Sequence, residues 1–207
     1  MMLENLFKQH KVPLWGIVSM SKVIESAEGY NCIVFCLPYD IAAIASLPDD
    51  ELMEKCKKDL RKRTAAVYKA IIRMYSDYHF ELYDETDDIL KLRERGISQK
   101  VLAHLAGLGW IGRSSLLITS RFGPRVRIGT IFTKGDLDVT GHPFSGDCGE
   151  CTACAEICPA GAISKNAYDV NKCREIVTDA RGEYETFCGL CMRVCPIGSI
   201  NLNRFLN

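Results

Sequence analysis

Cys148, Cys151, Cys154 and Cys158, followed by Pro159, spell C-x2-C-x2-C-x3-C-P, the spacing with which a chain wraps a cubane of iron and sulfide. The short gaps bring three thiolates onto one cluster, leave the intervening amides free to point at its sulfurs, and let the proline turn the chain away. The pattern is duplicated. Cys151, Cys154, Cys158-Pro159, Gly161 and Ile163 recur as Cys188, Cys191, Cys195-Pro196, Gly198 and Ile200, an internal repeat. Glu185 stands where the second copy of Cys148 would fall, and Cys173 is the one cysteine left in the region, so Cys173 is expected to replace the missing ligand. Because the fourth cysteine of each run serves the other cluster in a two-cluster module, one expected set is Cys148, Cys151, Cys154 and Cys195. The other is Cys158, Cys173, Cys188 and Cys191. Two 4Fe-4S clusters and stepwise electron transfer follow, with Ile163 and Ile200 as apolar cover. Structural zinc also takes four thiolates from C-x2-C pairs and is the bland alternative, but it does not call for a three-cysteine run with a trailing proline.

Eleven cysteines in 207 residues would suit disulfides in a small secreted domain, whereas a chain of this size with no secretory signal points to metal binding. Residues 1–10 carry Glu4 and Lys8 among their apolar residues, so a signal peptide or membrane span is not expected there and the protein reads as cytoplasmic, with no membrane partner. Twenty-six basic and 26 acidic residues cancel, which removes any global field toward nucleic acid or anionic lipid. Cys32, Cys36 and Cys56 lie outside the module and read as buried fillers.

The elements that must carry this chemistry are intermixed. Apolar, β-branched runs predict strands over Leu14–Met20 and Asn31–Pro38, with a helix over Ser21–Gly29 between them. Pro48 and the acidic Asp49, Asp50 and Glu51 open a long helix to about Met74, striped by Leu52, Cys56, Leu60, Val67, Ile71 and Met74. Its Lys55, Lys57, Lys58, Arg61, Lys62 and Arg63 read as a solvated face. A strand over Tyr78–Tyr83 and a helix over Ser98–Ala106, ended by Gly107, follow. Leu116–Thr119 and Val126–Thr133 read as strands joined in a hairpin through Phe122, Gly123 and Pro124. The fold class is α+β: a cofactor and substrate domain over 1–140, then a ferredoxin-like double 4Fe-4S domain over 141–207.

Gly107-Leu108-Gly109-Trp110-Ile111-Gly112 matches G-x-G-x-x-G. A dinucleotide fingerprint must follow a strand and open a helix, and here a helical pattern precedes the loop. The glycines are better read as letting the backbone lie against a flat cofactor or a neighbouring strand.

At this loop the chain resembles a known family. Leu105 through Arg113, then Leu116-Leu117-Ile118, then the double cysteine module, together with Cys32-Ile33-Val34-Phe35-Cys36-Leu37-Pro38-Tyr39 upstream, are similar to epoxyqueuosine reductase and its short relatives, a family related to the reductive dehalogenases. The resemblance implies a nitroreductase-like N-terminal domain holding a base-off cobalamin that is reduced through the nearer cluster and acts on a small electrophile or modified base. It implies cofactor contacts at Ser98, Lys100, Gly107, Leu108, Gly109, Trp110, Ile111, Gly112, Arg113 and Ser114. The chain departs from the family where Arg113-Ser114 replaces Lys-Asn and where no Asp-x-x-Pro supplies the general acid before the loop. The family's C-terminal helical repeats have no counterpart in these 207 residues. Glu94 and His104 are the remaining proton-donor candidates. Arg113, Arg121, Arg125 and Arg127 cluster in sequence, but strand alternation sends some of them to a solvated face, and tRNA is not the expected partner.

The leading expectation is an iron-sulfur oxidoreductase that passes electrons to cobalamin, or to another flat cofactor such as a flavin. Its partners would be an external electron donor and a small-molecule substrate, and a homodimer could complete its pocket. The alternative is a dicluster electron-transfer protein with a docking domain and no second cofactor.

Overall fold

The structure, a computed structural model, describes residues 2–23, 29–46, 50–75, 79–82, 97–135, 137–177 and 188–198. Its fold is mixed α/β, and the contacts group the chain into two interleaved units. One comprises Met1–Leu37, Asp59–Gly109 and Arg127–Ser145; the other comprises Pro38–Lys58, Trp110–Val126 and Gly146–Asn207. The unit carrying the cysteines therefore also recruits two earlier segments of the chain.

The first unit is built on a four-stranded sheet. Strands β1 (Leu14–Ser19), β2 (Tyr30–Pro38), β3 (His79–Leu82) and β6 (Val126–Lys134) lie in the order β1-β2-β6-β3. β1 pairs antiparallel with β2, Ile17 opposite Ile33, and β3 pairs antiparallel with β6, Leu82 opposite Ile131. As an interior strand, β2 is buried from Asn31 through Leu37, which explains its unbroken apolar run. Helix α1 (Met2–Gln9) brings Phe7 against Trp15 and Phe35, at centroid distances of 5.1 and 6.0 Å, and Phe35 meets Tyr68 edge-on at 5.5 Å. Gly129 leaves room for the Phe35 ring, with which any Cβ there would collide.

Helix α3 (Asp50–Met74) buries Met53, Leu60, Val67 and Ile71. Leu52, expected on the stripe, is exposed, and Met53 takes the inward place. Thr64 fills a buried stripe position, its hydroxyl donating to the Leu60 carbonyl at 2.7 Å. Lys55, Lys58, Arg61 and Lys62 are exposed, as a solvated face requires. Helix α4 (Gln99–Leu105) packs on β1, with Leu102 and Ala103 buried. In place of the expected helix after β1, a single 3-10 turn covers Met20–Lys22; residues 24–28 lie outside the described residues.

The second unit contains helix α2 (Ile41–Ala45), hairpin strands β4 (Trp110–Ile111) and β5 (Leu117–Ile118), and short helices α5 (Ala153–Glu156), α6 (Val170–Val177) and α7 (Leu190–Val194). Asp40 caps α2, accepting from the amides of Ala42 and Ala43 at 2.7 and 3.3 Å, a contact that satisfies two otherwise orphaned donors. α5 packs against α7, and α7 against α2. Ala43, Ile44, Met53 and Met192 form the core between them, with Tyr39, Cys56 and Leu116 packed around it.

One pairing differs from expectation. β5 does not form a hairpin with β6; it pairs with β4, Trp110 opposite Ile118, while β6 joins the large sheet. Two residues of the glycine loop, Trp110 and Ile111, are thus strand, a role too short for periodicity to reveal. The turn at Phe122–Pro124 persists as a tight loop closed by reciprocal Thr119 and Gly123 backbone bonds of 2.8 and 2.9 Å.

Candidate functional site

Two cavities in the second unit gather the eight module cysteines. The first, about 40 Å³, is lined by Cys148, Cys151, Cys154, Cys191 and Cys195. The second, about 260 Å³, is lined by Cys158, Cys173, Cys188 and Cys191. Cys191 faces both. Cys154 sits on α5 and Cys191 on α7, so the packing of these two helices brings the cavities together. The duplication is visible in the backbone: Gly161 and Gly198 both adopt left-handed φ, +57° and +65°, three residues after Cys158 and Cys195, the conformation that suits glycine best.

Amides already point at the sulfurs. Arg113 N–H donates to Cys148 Sγ at 3.5 Å, and Ala162 N–H donates to Cys158 Sγ at 3.4 Å. The thiols also crowd one another. Burial pushes the Cys191 thiol up to about 12, with Cys188, Cys154 and Cys173 adding repulsion. Cys154 is raised by burial and then by Cys148 and Cys151, and Cys195 is raised by burial against the Ile197 amide and Arg125. As free thiols Cys154, Cys191 and Cys195 resist ionisation, so a cation that binds their thiolates must supply the compensating energy. Among the described residues no three His, Cys, Asp or Glu side chains converge on a point suited to a single metal ion; the thiols line cavities instead.

The rest of each wall differs. The second cavity is apolar, walled by Leu116, Pro159, Ala162, Ile163 and Met192. Its polar addition is Tyr168, hydrogen bonded to Cys173, whose phenol is raised above the ordinary range first by burial and then by that contact. The expected cover Ile163 is buried there, whereas Ile200 lies outside the described residues. The first cavity carries Arg113 on its wall.

The loop candidates divide. Gly107 takes φ +79° to end α4, and a Cβ on it would meet the His142 carbonyl at 2.8 Å. Leu108 and Trp110 are buried, and Ile111 is exposed. Gly112 lies where a Cβ would come 2.5 Å from the Ile118 side chain and 3.3 Å from Cys148 Sγ, so this glycine is required by the close approach of Ile118, with the first cysteine next to it. Arg113 is committed to carbonyls, donating to Lys165 and Gly149 at 2.8 Å each. Ser114 is buried and lines both cavities. Ser98 is the N-cap of α4, its hydroxyl accepting from Lys100 N–H at 3.2 Å, and Lys100 is half-buried. His104 Nδ1 lies 2.9 Å from the Gly109 carbonyl, which can only accept, so the proton sits on Nδ1. Glu94 lies outside the described residues.

Two residues that line or support the cavities escaped sequence reasoning. Tyr168 has no motif to announce it. Arg125 sat in a run of arginines whose alternation suggested solvent; Arg121 is exposed, but Arg125 is 7% exposed.

No protein-family model matches the chain. Among curated proteins it is similar to the epoxyqueuosine reductase of Gloeobacter violaceus, 41% identical over 78 residues, covering 37% of this chain and 24% of that one. To the epoxyqueuosine reductase of Pseudomonas aeruginosa it is 29% identical over 122 residues, covering 58% of this chain and 32% of that one. The chain thus spans about a quarter to a third of the length of these relatives. A solved epoxyqueuosine reductase with an epoxyqueuosine-modified tRNA stem loop superposes with TM-score 0.62 at 17% identity, covering 95% of this chain and 65% of that one. A catabolic reductive dehalogenase in complex with 3-bromo-4-hydroxybenzoic acid gives TM-score 0.76 at 18% identity, covering 95% and 31%. A reductive dehalogenase described for B12-dependent dehalogenation gives 0.74 at 18%, covering 96% and 32%. The likeness to epoxyqueuosine reductases is present in sequence over part of the chain, and a likeness of fold to epoxyqueuosine reductases and reductive dehalogenases covers nearly all of it.

Proposed function

We propose that this chain is an epoxyqueuosine reductase-like iron-sulfur oxidoreductase that passes electrons through two 4Fe-4S clusters to a cobalamin, for reduction of a small electrophile or modified base. The observation that carries the reading is the gathering of eight thiols into two cavities, five lining the first and four the second, with Cys191 lining both. The donor set fits the group: soft thiolates, amides aimed at sulfur, and cavities in place of a single convergence point. The ferredoxin-like module expected over 141–207 is completed by segments 38–58 and 110–126, and the rest of 1–140 acts as the nitroreductase-like cofactor domain.

The clusters supply one-electron storage when bound, and cobalamin a strong reductant. The chain's own work is to hold and cover them. Cys148, Cys151, Cys154 and Cys195 hold one cluster, and Cys158, Cys173, Cys188 and Cys191 the other. Leu116, Ile163 and Met192 exclude water from the second site. Gly112 brings the loop backbone against Cys148, so that the Arg113 amide reaches its sulfur. Ser98 accepts the Lys100 amide at the α4 cap and can still donate its O–H, so Ser98, Lys100 and the loop residues are the cofactor contacts of this reading. Glu94 and His104 remain the proton-donor candidates; His104 presents its Nε2 once Nδ1–H is given to Gly109.

The test is anaerobic reconstitution followed by iron, sulfide, zinc, cobalt and flavin analysis on one sample, then turnover with a haloaromatic and with an epoxyqueuosine-bearing tRNA stem loop. Iron and sulfide for two clusters with a cobalamin-specific visible spectrum support the reading. Clusters with neither cobalamin nor flavin reduce it to a dicluster electron-transfer protein, and zinc without sulfide overturns it.

A further inference from the structure

Arg125 is the one charged side chain in the buried class among the described residues. Its guanidinium faces carbonyls: Nη1 donates to Phe122 and Ile197 at 3.3 and 2.9 Å, and Nη2 donates to Arg193 at 3.5 Å and, in a shorter contact, to Cys195. No carboxylate touches it among the described residues. Carbonyl dipoles satisfy hydrogen bonds but leave a full charge uncancelled, and a buried uncancelled charge is strongly unfavourable. The cation is held at the backbone of Cys195, whose side chain lines the first cavity, so a countercharge bound there lies beside it.

Three of the four carbonyls belong to the segment 193–197, which carries Cys195, the remote ligand of the first cavity. The fourth is in the Phe122–Pro124 turn, where a Cβ on Gly123 would run into the Ile197 carbonyl. Arg125 thus fastens the strand-entry turn to the loop that delivers the one first-site cysteine lying far from Cys148, Cys151 and Cys154 in sequence. Among the described residues no charged side chain lines the second cavity. Arg125 does not line the first cavity but sits behind the Cys195 segment, whereas Arg113 lines it, half-exposed and held by the Lys165 and Gly149 carbonyls, where solvent and salt screen it.

We propose that Arg125 is the countercharge and positioning residue of the cluster held by Cys148, Cys151, Cys154 and Cys195, and that it makes this cluster the higher-potential member of the pair. The proposal rests on the cluster reading above. A thiolate-ligated cubane carries net negative charge that grows when it accepts an electron, so a fixed buried cation favours the reduced state and raises the potential. Electrons arriving at the apolar second site would then run downhill to the first, with Cys191 between.

The test uses the reconstituted full chain, titrated anaerobically with dithionite and followed by electron paramagnetic resonance. C154S and C188S assign the two signals, since each cysteine lines one cavity only. The signal perturbed by C154S should be the one reduced at the higher potential. R125M should lower that potential by at least a tenfold change in the one-electron equilibrium constant, about 59 mV, while the C188S-assigned signal moves by less than a third as much. R125K, which keeps the charge, should retain most of the wild-type value. Equal shifts in both signals, no shift, or a C154S-perturbed signal at the lower potential overturns the proposal. If R125M fails to fold, the ordering of the two signals and R125K against R125Q decide it. An unsubstituted chain that takes up no iron and sulfide refutes the cluster reading itself and this assignment with it.

Discussion

Cys32 and Cys36 on β2 and the eight cysteines around the two cavities are the same residue in opposite circumstances. The strand pair is fully buried among Ile33, Phe35 and Ile131, with burial pushing both thiols up, Cys36 to about 12. The module cysteines are half-buried or exposed, face one another, and receive amides at their sulfurs. A cysteine in the first setting acts as a small hydrophobe. One in the second setting waits for a cation, because proximity of like thiolates is tolerable only around metal.

Breaking the module should have the largest effects. C191S, at the one cysteine facing both cavities, should lower iron and sulfide by at least half and disturb both cluster signals, whereas C188S should disturb one. Iron analysis and magnetic resonance of the two variants check this, and indistinguishable spectra would contradict the two-cavity geometry. G112A places a methyl against Ile118 and Cys148 Sγ and should selectively reduce occupancy of the first cluster, read from the C154S-assigned signal.

Changes in the sheet should leave iron content alone. Phe35→Ala removes a ring packed by Phe7, Tyr68 and Gly129 and should cost about 3–5 kcal/mol in denaturant unfolding. Loss of clusters in that variant, while the chain stays folded, would break the separation of roles. S98A removes the α4 cap and should cost about 1 kcal/mol.

The smallest effect concerns pH. A Cys36 thiol that ionises near 9.0 when unfolded and near 12 when folded makes the unfolded chain shed its proton first, so stability falls as pH rises above 9. C36A should flatten that decline in alkaline denaturant titrations, and alkylating reagents should label Cys36 only after unfolding. Rapid labelling of Cys36 in the native protein would show that the strand is not closed.

Much of the ligand chemistry was legible because it is local. Three-residue gaps and a proline are statements about a few consecutive bonds, and a duplicated run carries its partner in the same chain. The α3 helix, the Gly107 stop and most of β1, β2 and β6 were likewise readable from short-range pattern. The β4–β5 hairpin was not, since two-residue strands carry no period and the apolar Leu116–Thr119 run suits either partner. The Ser98 hydroxyl, read toward a cofactor, also accepts an amide of its own helix, a second role that propensity alone does not reveal.

By itself, then, the sequence determined the eight thiols, their two expected sets and the glycines that close approach demands, because each depends on neighbours along the chain. Only the tertiary structure decided that Cys191 faces both cavities, that segments 38–58 and 110–126 join the cysteine unit, and that Arg125 is buried against Cys195 while Arg121 meets solvent. Those outcomes depend on which distant surfaces exclude water from a side chain, and that information is distributed over the whole fold.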